Sequence, residues 1–182
     1  MLNNQQIIIS GLGGQGVLFI TKLLAGAAMA DNFPVLTSET HGMAQRGGNV
    51  ISYLKIGDFS GPLIRPGTAD ALIALKAESF AHHSYFLKPD GLAVVNSPDP
   101  VEDDRYRVFC GNATALAEEA GNVRSENVAM LGFFMGAIKD DTPVFNPDTL
   151  ARMIKEKFQA KPAVATNVLS LLGAGMQLYQ KR

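Results

Sequence analysis

The chain is poor in the residues that several kinds of chemistry require. Its 182 residues include one cysteine, Cys110. No intrachain disulfide can therefore form, and no cluster held by four thiolates can be built from this chain alone. Charge is sparse: 16 Lys and Arg stand against 17 Asp and Glu, 18% of the chain, for a formal net charge of −1. Nothing in that balance attracts nucleic acid or an anionic membrane. No apolar run reaches the roughly 18 residues of a membrane span, and the opening MLNNQQ lacks the basic n-region of a secretory signal. The expectation is a soluble, cytoplasmic protein with no nucleic-acid or membrane partner. What the chain has in quantity is apolar residues, at 47%, and 18 glycines. That composition belongs to a globular chain, long enough for one domain with a real core.

Periodicity organises the first two thirds into strands alternating with helices. Apolar or alternating runs predict strands at Ile7–Ser10, Val35–Glu39, Val50–Gly57, Asp70–Leu75, Leu92–Asn96 and Tyr106–Cys110. The run Val50–Gly57 alternates its side chains, which suggests one wetter face. Helices are expected at Val17–Ala30, near Ala77–Leu87 and near Thr114–Ala120, with Pro89-Asp90-Gly91 as a turn. The last third reads mostly as helix. Asn127–Ile138 is apolar nearly all round and should be buried. Asn146-Pro147-Asp148 combines a capping side chain, a proline at the first helical position and an acid in the first turn, so a helix should follow to Phe158. A final helix should run from about Pro162. The pattern predicts a three-layer α/β/α, Rossmann-like fold with a mostly parallel sheet and a helix-rich C-terminal third.

The first candidate site is the turn after the first strand, where Gly11, Gly13 and Gly16 fit G-x-G-x-x-G, with Gly14 and Gln15 between them. Glycine permits positive φ and close backbone approach, and free N–H groups at a helix start favour an anion such as a phosphate. The same pattern also serves as a tight strand-to-helix corner with no ligand. A dinucleotide reading needs an acid about 20 residues on, to hold ribose hydroxyls. Glu39, 23 residues beyond Gly16, is the one acid near that place. Gln15 and the doubled Gly13-Gly14 also depart from that fingerprint, and no hydride-transfer machinery stands out downstream. A free-standing NAD(P)-dependent oxidoreductase or nucleotide-binding module is the alternative.

The second candidate site is the loop after the second strand, with Gln45, Arg46, Gly47 and Gly48 at what should be the carboxyl end of the sheet, where ligands of open α/β sheets bind. A guanidinium there can grip a phosphate or carboxylate, or it can fix its own loop or pair with Glu39. Together, Gly11-Leu-Gly-Gly-Gln-Gly-Val17 and His41-Gly-Met-Ala-Gln-Arg-Gly-Gly48 resemble the gamma subunit or domain of 2-oxoacid:ferredoxin oxidoreductases, closest to the indolepyruvate type. The likeness continues through PLIRPGTADALIAL, LKPDGLAVVN, ENVAMLGFFMGAI and KPAVATNVLSLLGAG, so it spans nearly the whole chain as one gamma-type domain over residues 1–182.

That resemblance implies a part of an enzyme complex that oxidatively decarboxylates a 2-oxoacid to an acyl-CoA. It implies thiamine diphosphate, magnesium and iron–sulfur clusters in partner subunits, and ferredoxin as an indirect partner. This chain has one cysteine and no Gly-Asp-Gly signature for magnesium and the diphosphate. Its implied share is packing against those subunits, with coenzyme A as a possible shared ligand and a homodimer possible when isolated. Gly11, Gly13, Gly14, Gln15, Gly16, Gln45, Arg46, Gly47 and Gly48 are the candidates for ligand or subunit contact; no residue is assigned a catalytic or metal-binding role.

Other conspicuous residues have plainer readings. His82 and His83 are adjacent, so on a helix they diverge by about 100° and make a poor metal pair; solvated helix positions are expected. His41 sits in the motif loop, where stabilising the loop and transferring a proton remain open. Cys110 should be a small buried residue. Met130, Met135, Met153 and Met176 should be core or interface, and the basic stretch Lys155–Lys161 a solvated face.

Overall fold

The structure, a computed structural model, describes residues 4–41, 48–139 and 145–180, with His41 and Gln180 described in their backbone only. Six strands form one sheet: β1 (Gln5–Leu12), β2 (Val35–His41), β3 (Asn49–Ile56), β4 (Ala69–Ala74), β5 (Leu87–Asn96) and β6 (Arg107–Gly111), in the order β2-β3-β1-β4-β5-β6. The pairs β1–β4, β4–β5 and β5–β6 are parallel, while β3 runs antiparallel to both β1 and β2. Five strands therefore point one way, with their carboxyl ends on one edge. Six helices accompany them: α1 (Val17–Ala30), α2 (Ala77–His83), α3 (Ala113–Glu119), α4 (Glu126–Ala137), α5 (Pro147–Lys157) and α6 (Pro162–Gln180). The expected α/β/α architecture is present, and among the described residues no helix is long and apolar enough to cross a membrane.

The layers are unequal. Apolar faces of α1, α3, α4, α5 and α6 pack into one large cluster with Ile7, Ile9, Leu54 and Ile73 of the sheet. On the other face, α2 and the 3-10 turn Ser84–Phe86 cover a smaller cluster around Ile8, Tyr53, Leu72 and Val95. The crossover β1-α1-β2 leads toward one side of the sheet and β4-α2-β5 toward the other. Since such crossovers share one hand, their helices land on opposite faces. The two connections part company between β1 and β4, and the carboxyl edge at such a divergence is the usual ligand position in an open α/β sheet.

Local chemistry explains the element boundaries. The Asn146 side chain accepts the Asp148 N–H at 2.8 Å with Pro147 in the first turn, so α5 starts where the sequence says. In α4, every residue from Asn127 to Ala137 is buried. It crosses α6 at glycines: a Cβ at Gly132 would strike the Leu172 carbonyl oxygen, one at Gly175 would strike that of Ala129, and one at Gly136 would stand 2.7 Å from that of Met176. Backbone meets backbone there, which any larger residue would prevent.

Three details differ from the sequence reading. Ile51, Ser52, Tyr53 and Leu54 are all buried, so β3 has no wet face; it lies inside the sheet between β2 and β1. The helix expected to Leu87 stops at His83, and Pro89-Asp90-Gly91 lies within β5. Ala69 pairs with Leu87 but Ala71 with Leu92, so the tripeptide bulges outward, with Asp90 at φ 57° and its N–H on the Arg105 carbonyl at 3.0 Å. The third detail bears on cofactor choice. In dinucleotide folds the strand after the first helix lies beside the first strand, so its terminal acid reaches the ribose. Here β3 intervenes and places exposed Glu39 on the edge strand, two strand spacings or about 10 Å from β1. The dinucleotide alternative loses its ribose acid.

Candidate functional site

The glycine turn is built by backbone hydrogen bonds. The Gln15 N–H donates to the Leu12 carbonyl at 3.0 Å, closing a four-residue turn whose third residue, Gly14, has φ 96°. Positive φ at that position is what a type II turn requires. Gly16 follows at φ 82° and caps α1, its carbonyl receiving the Phe19 and Ile20 N–H groups at 3.0 and 3.2 Å. Gly11 is a packing glycine: a Cβ there would lie 3.0 Å from the Leu75 Cβ and from the Gln15 Oε1. Gly13 and Gly14 are exposed, and nothing comes within 4 Å of a Cβ placed on Gly14. The open part of the turn is thus the Gly13-Gly14 backbone.

The two glycine loops meet. The Gly13 N–H donates to the Gly48 carbonyl at 3.0 Å, because the antiparallel pairing of β2 and β3 returns the second loop to the same carboxyl edge. Of the second motif, Gly48 is described and joins the site; Gln45, Arg46 and Gly47 lie outside the described residues.

Gln15 faces inward. Its Oε1 accepts the Leu12 N–H at 2.7 Å, and its Nε2 donates to the Glu126 Oε1 at 3.0 Å and to the Leu75 carbonyl at 3.4 Å. Glu126 opens α4, and its Oε2 accepts the Thr114 hydroxyl at 2.9 Å. The Asn96 Nδ2 donates to the Thr114 Oγ1 at 3.0 Å and to the Leu75 carbonyl at 3.3 Å, while its Oδ1 accepts the Ala113 N–H at 3.0 Å. Every side-chain donor in this hydrogen-bond network has an acceptor, and the Glu126 carboxylate is its sink. It joins the ends of β1, β4 and β5 to the starts of α3 and α4.

Beyond it lies an open cleft of about 500 Å³ at the ends of β4, β5 and β6, lined among others by Lys76, Glu78, Asn96, Asp99, Thr114 and Glu118. Lys76 and Thr114 carry no motif that marks them in the sequence, and the stretches that contain Asn96 and Glu126 assign neither of them a role. The available signal is positional: Asn96 ends the strand LAVVN, and Glu126 opens the segment ENVAML.

On the thinner face the Ser10 Oγ stands 2.7 Å from the His83 Nδ1, which is also 3.2 Å from the Ser79 carbonyl. His82 is exposed as expected, but His83 is half-buried against the sheet and its ring stacks on Phe86 at 6.5 Å. The reason is helix geometry: 100° of rotation turns one histidine outward and the next inward. Burial holds the His83 pKa below its ordinary 6.5, the hydrogen bond to Ser79 works against that, and His82 adds to it. Cys110 is buried, with the Val101 N–H 3.2 Å from its Sγ. Met130 and Met135 are core, Met153 and Met176 pack at its margin, and Lys155, Lys157 and Lys161 are exposed. Among the described residues no group of three or more His, Cys, Asp and Glu is placed to hold a metal ion.

Comparison with known proteins agrees with the sheet and the motifs. Residues 6–178 match the protein family described as pyruvate ferredoxin/flavodoxin oxidoreductase. Indolepyruvate oxidoreductase subunit IorB of Archaeoglobus fulgidus is 38% identical over 151 residues, which cover 71% of this chain and 75% of that protein. The gamma subunit of a keto/oxoacid ferredoxin oxidoreductase from Geobacter sulfurreducens matches in fold with a TM-score of 0.80 at 23% identity, over 98% of this chain and 99% of that one. A 2-oxoglutarate:ferredoxin oxidoreductase from Magnetococcus marinus, solved with 2-oxoglutarate, coenzyme A and succinyl-CoA, matches with a TM-score of 0.82 at 21% identity. That match covers 98% of this chain and 31% of the longer one.

Proposed function

The chain belongs to the pyruvate ferredoxin/flavodoxin oxidoreductase family, as a gamma-type subunit of 2-oxoacid:ferredoxin oxidoreductases, and on that premise we propose that its glycine-lined edge helps hold coenzyme A within the complex. The observation that carries this is the open Gly13-Gly14 backbone, tied to Gly48 at 3.0 Å, so that both glycine motifs share one ligand-facing edge. Coenzyme A brings a pyrophosphate, and backbone N–H groups of a glycine turn before a helix suit it without any acid for an NAD ribose; with the Gly13 and Gln15 N–H groups already bonded, those of Gly14 and of the first turn of α1 are the ones to meet it.

The division of labour follows from the residues. In such a complex a 2-oxoacid loses carbon dioxide, two electrons pass to ferredoxin, and the acyl group joins the coenzyme A thiol. Thiamine diphosphate and magnesium supply the decarboxylation chemistry, and iron–sulfur clusters carry the electrons. Cys110 is a single thiol, and the carboxylate-rich cleft offers no cysteine cluster. These groups are therefore assigned to partner subunits. The chain acts in the cytoplasm as one gamma-type domain over residues 1–182. Gly11, Gly13, Gly14, Gly16 and Gly48 shape the ligand edge, Gln15 acts from behind, and Gln45, Arg46 and Gly47 of the second motif are further candidates for contact. Exposed Leu63 and Tyr85, 61% and 51% accessible, suit contact with a partner subunit, or with a second copy when the chain is alone.

The test is co-expression with the candidate partner subunits, then assay of the purified complex with indolepyruvate, pyruvate and 2-oxoglutarate. Activity is expected only from the complex, with coenzyme A protecting residues 11–16 from hydrogen exchange. Turnover of an oxoacid by the isolated chain would overturn this reading.

A further inference from the structure

The start of α4 touches the glycine turn twice. Glu126 receives the Gln15 amide at 3.0 Å, and the side chain of its neighbour Asn127 fills the space that a Cβ on Gly16 would need. Two motifs 111 residues apart, GLGGQG and ENVAML, are therefore one structural unit. The hydrogen-bond directions are fully determined. Asn96 donates to Thr114, Thr114 to Glu126, Gln15 to Glu126, and the Leu12 N–H to Gln15. A carboxylate at position 126 accepts from both neighbours at once, since each presents a proton to an oxygen that carries none.

We propose that Glu126 is a positioning residue for coenzyme A: through the Gln15 amide it sets the backbone of the glycine turn and ties it to the Thr114 wall of the neighbouring cleft. This rests on the reading of the turn as a coenzyme A edge. Glu126 itself touches no ligand. It is half-buried behind the turn, and its charge strengthens both hydrogen bonds relative to neutral partners. Without it the Gln15 amide has only the long 3.4 Å contact to Leu75, and the turn keeps one fewer restraint on the side that faces away from solvent.

The geometry supplies its own control. Gln15→Glu sets two carboxylates against each other. Glu126→Gln turns an amide hydrogen toward either the Gln15 amide or the Thr114 hydroxyl. Exchanging the two, Gln15→Glu with Glu126→Gln, restores every direction but the long one to Leu75, whose carbonyl then faces a carboxylate oxygen: the new carboxylate takes the Leu12 N–H and the amide of residue 126, whose oxygen takes the Thr114 hydroxyl.

The experiment uses the complex assembled with its partner subunits. Each single variant is expected to raise the KM for coenzyme A about tenfold, as loss of one charge-assisted hydrogen bond implies, with a smaller fall in kcat. The exchanged pair should return to within about threefold of wild type. Thr114→Val, a milder change, should raise the KM about threefold. The KM for the 2-oxoacid should stay put throughout.

Single variants that lower Tm but leave the coenzyme A KM unmoved would reduce the contact to a structural one and overturn the proposal. So would an exchanged pair no better than its worse parent. If a single variant fails to assemble, Thr114→Val carries the same decision. In wild type, coenzyme A protection of amides 11–16 separates two failures. Protection with unmoved KM values overturns the positioning role alone, whereas no protection overturns the coenzyme A reading and the positioning role together.

Discussion

The two faces of the sheet are built on different terms. One lies under α1, α3, α4, α5 and α6, where α4 and α6 approach until backbone touches backbone at Gly132, Gly136 and Gly175. The other lies under α2 and a 3-10 turn, and it holds the half-buried imidazole of His83 on the hydroxyl of Ser10. Glycine has opposite meanings across the molecule as a consequence. In the thick layer it is required because there is no room. In the turn at the sheet edge, Gly14 has open space and is required because φ is positive. The thick layer holds most of the buried core, and the thin face holds the smaller cluster.

The comparison can be broken hardest at Gly132. Gly132→Ala should destabilise by about 3 kcal/mol or more, because an added methyl meets a carbonyl oxygen that cannot turn aside; thermal unfolding measures it. A Tm equal to wild type would mean that the two helices are not in backbone contact. Gly14→Ala should cost about 1 kcal/mol from the left-handed conformation, with coenzyme A dependence affected more than Tm. Gly173 sharpens the contrast, since it lies in α6 and a methyl group added there would meet nothing within 4 Å. Gly173→Ala should stabilise by about 0.5–1 kcal/mol, the ordinary helix-propensity gain. Opposite signs for the same substitution at residues 132 and 173 are the clearest test of the thick layer.

The smallest effect concerns the thin face. Burial lowers the His83 pKa in the folded state, so between that value and the ordinary 6.5 the unfolded chain binds more protons. Stability is then full above pH 6.5, falls as pH drops through that window, and levels off below the folded pKa. His83→Gln should flatten this slope in denaturant titrations from about pH 7.5 to pH 5; an unchanged slope would assign the pH dependence to other groups.

Much of the architecture was legible in the sequence because its signals are local. Continuous apolar runs marked central strands, and Asn146-Pro147-Asp148 marked the start of α5. The paired glycine motifs were legible as sequence, and Gly13 and Gly48 prove to be hydrogen-bonded neighbours. What was not legible depends on which strands become neighbours. The antiparallel insertion of β3 buried a face that alternation had made look wet, and it carried Glu39 away from the glycine turn. The role of Gln15 was hidden for the same reason, since its partner Glu126 lies 111 residues downstream. The histidine pair reads as solvated because adjacency shows that two side chains diverge, but not which of them turns inward.

The pairing of His41 with Val50 has a further consequence. The connection between β2 and β3 leaves and re-enters the sheet on adjacent strands, about 5 Å apart, so its two ends are held together by the ladder. Doubling its length would cost only about 0.6 kcal/mol in closure entropy, and the sheet beneath would keep its register. The sheet therefore sets no tight limit on the length of that connection, and whatever holds the motif residues within it, the strand register does not.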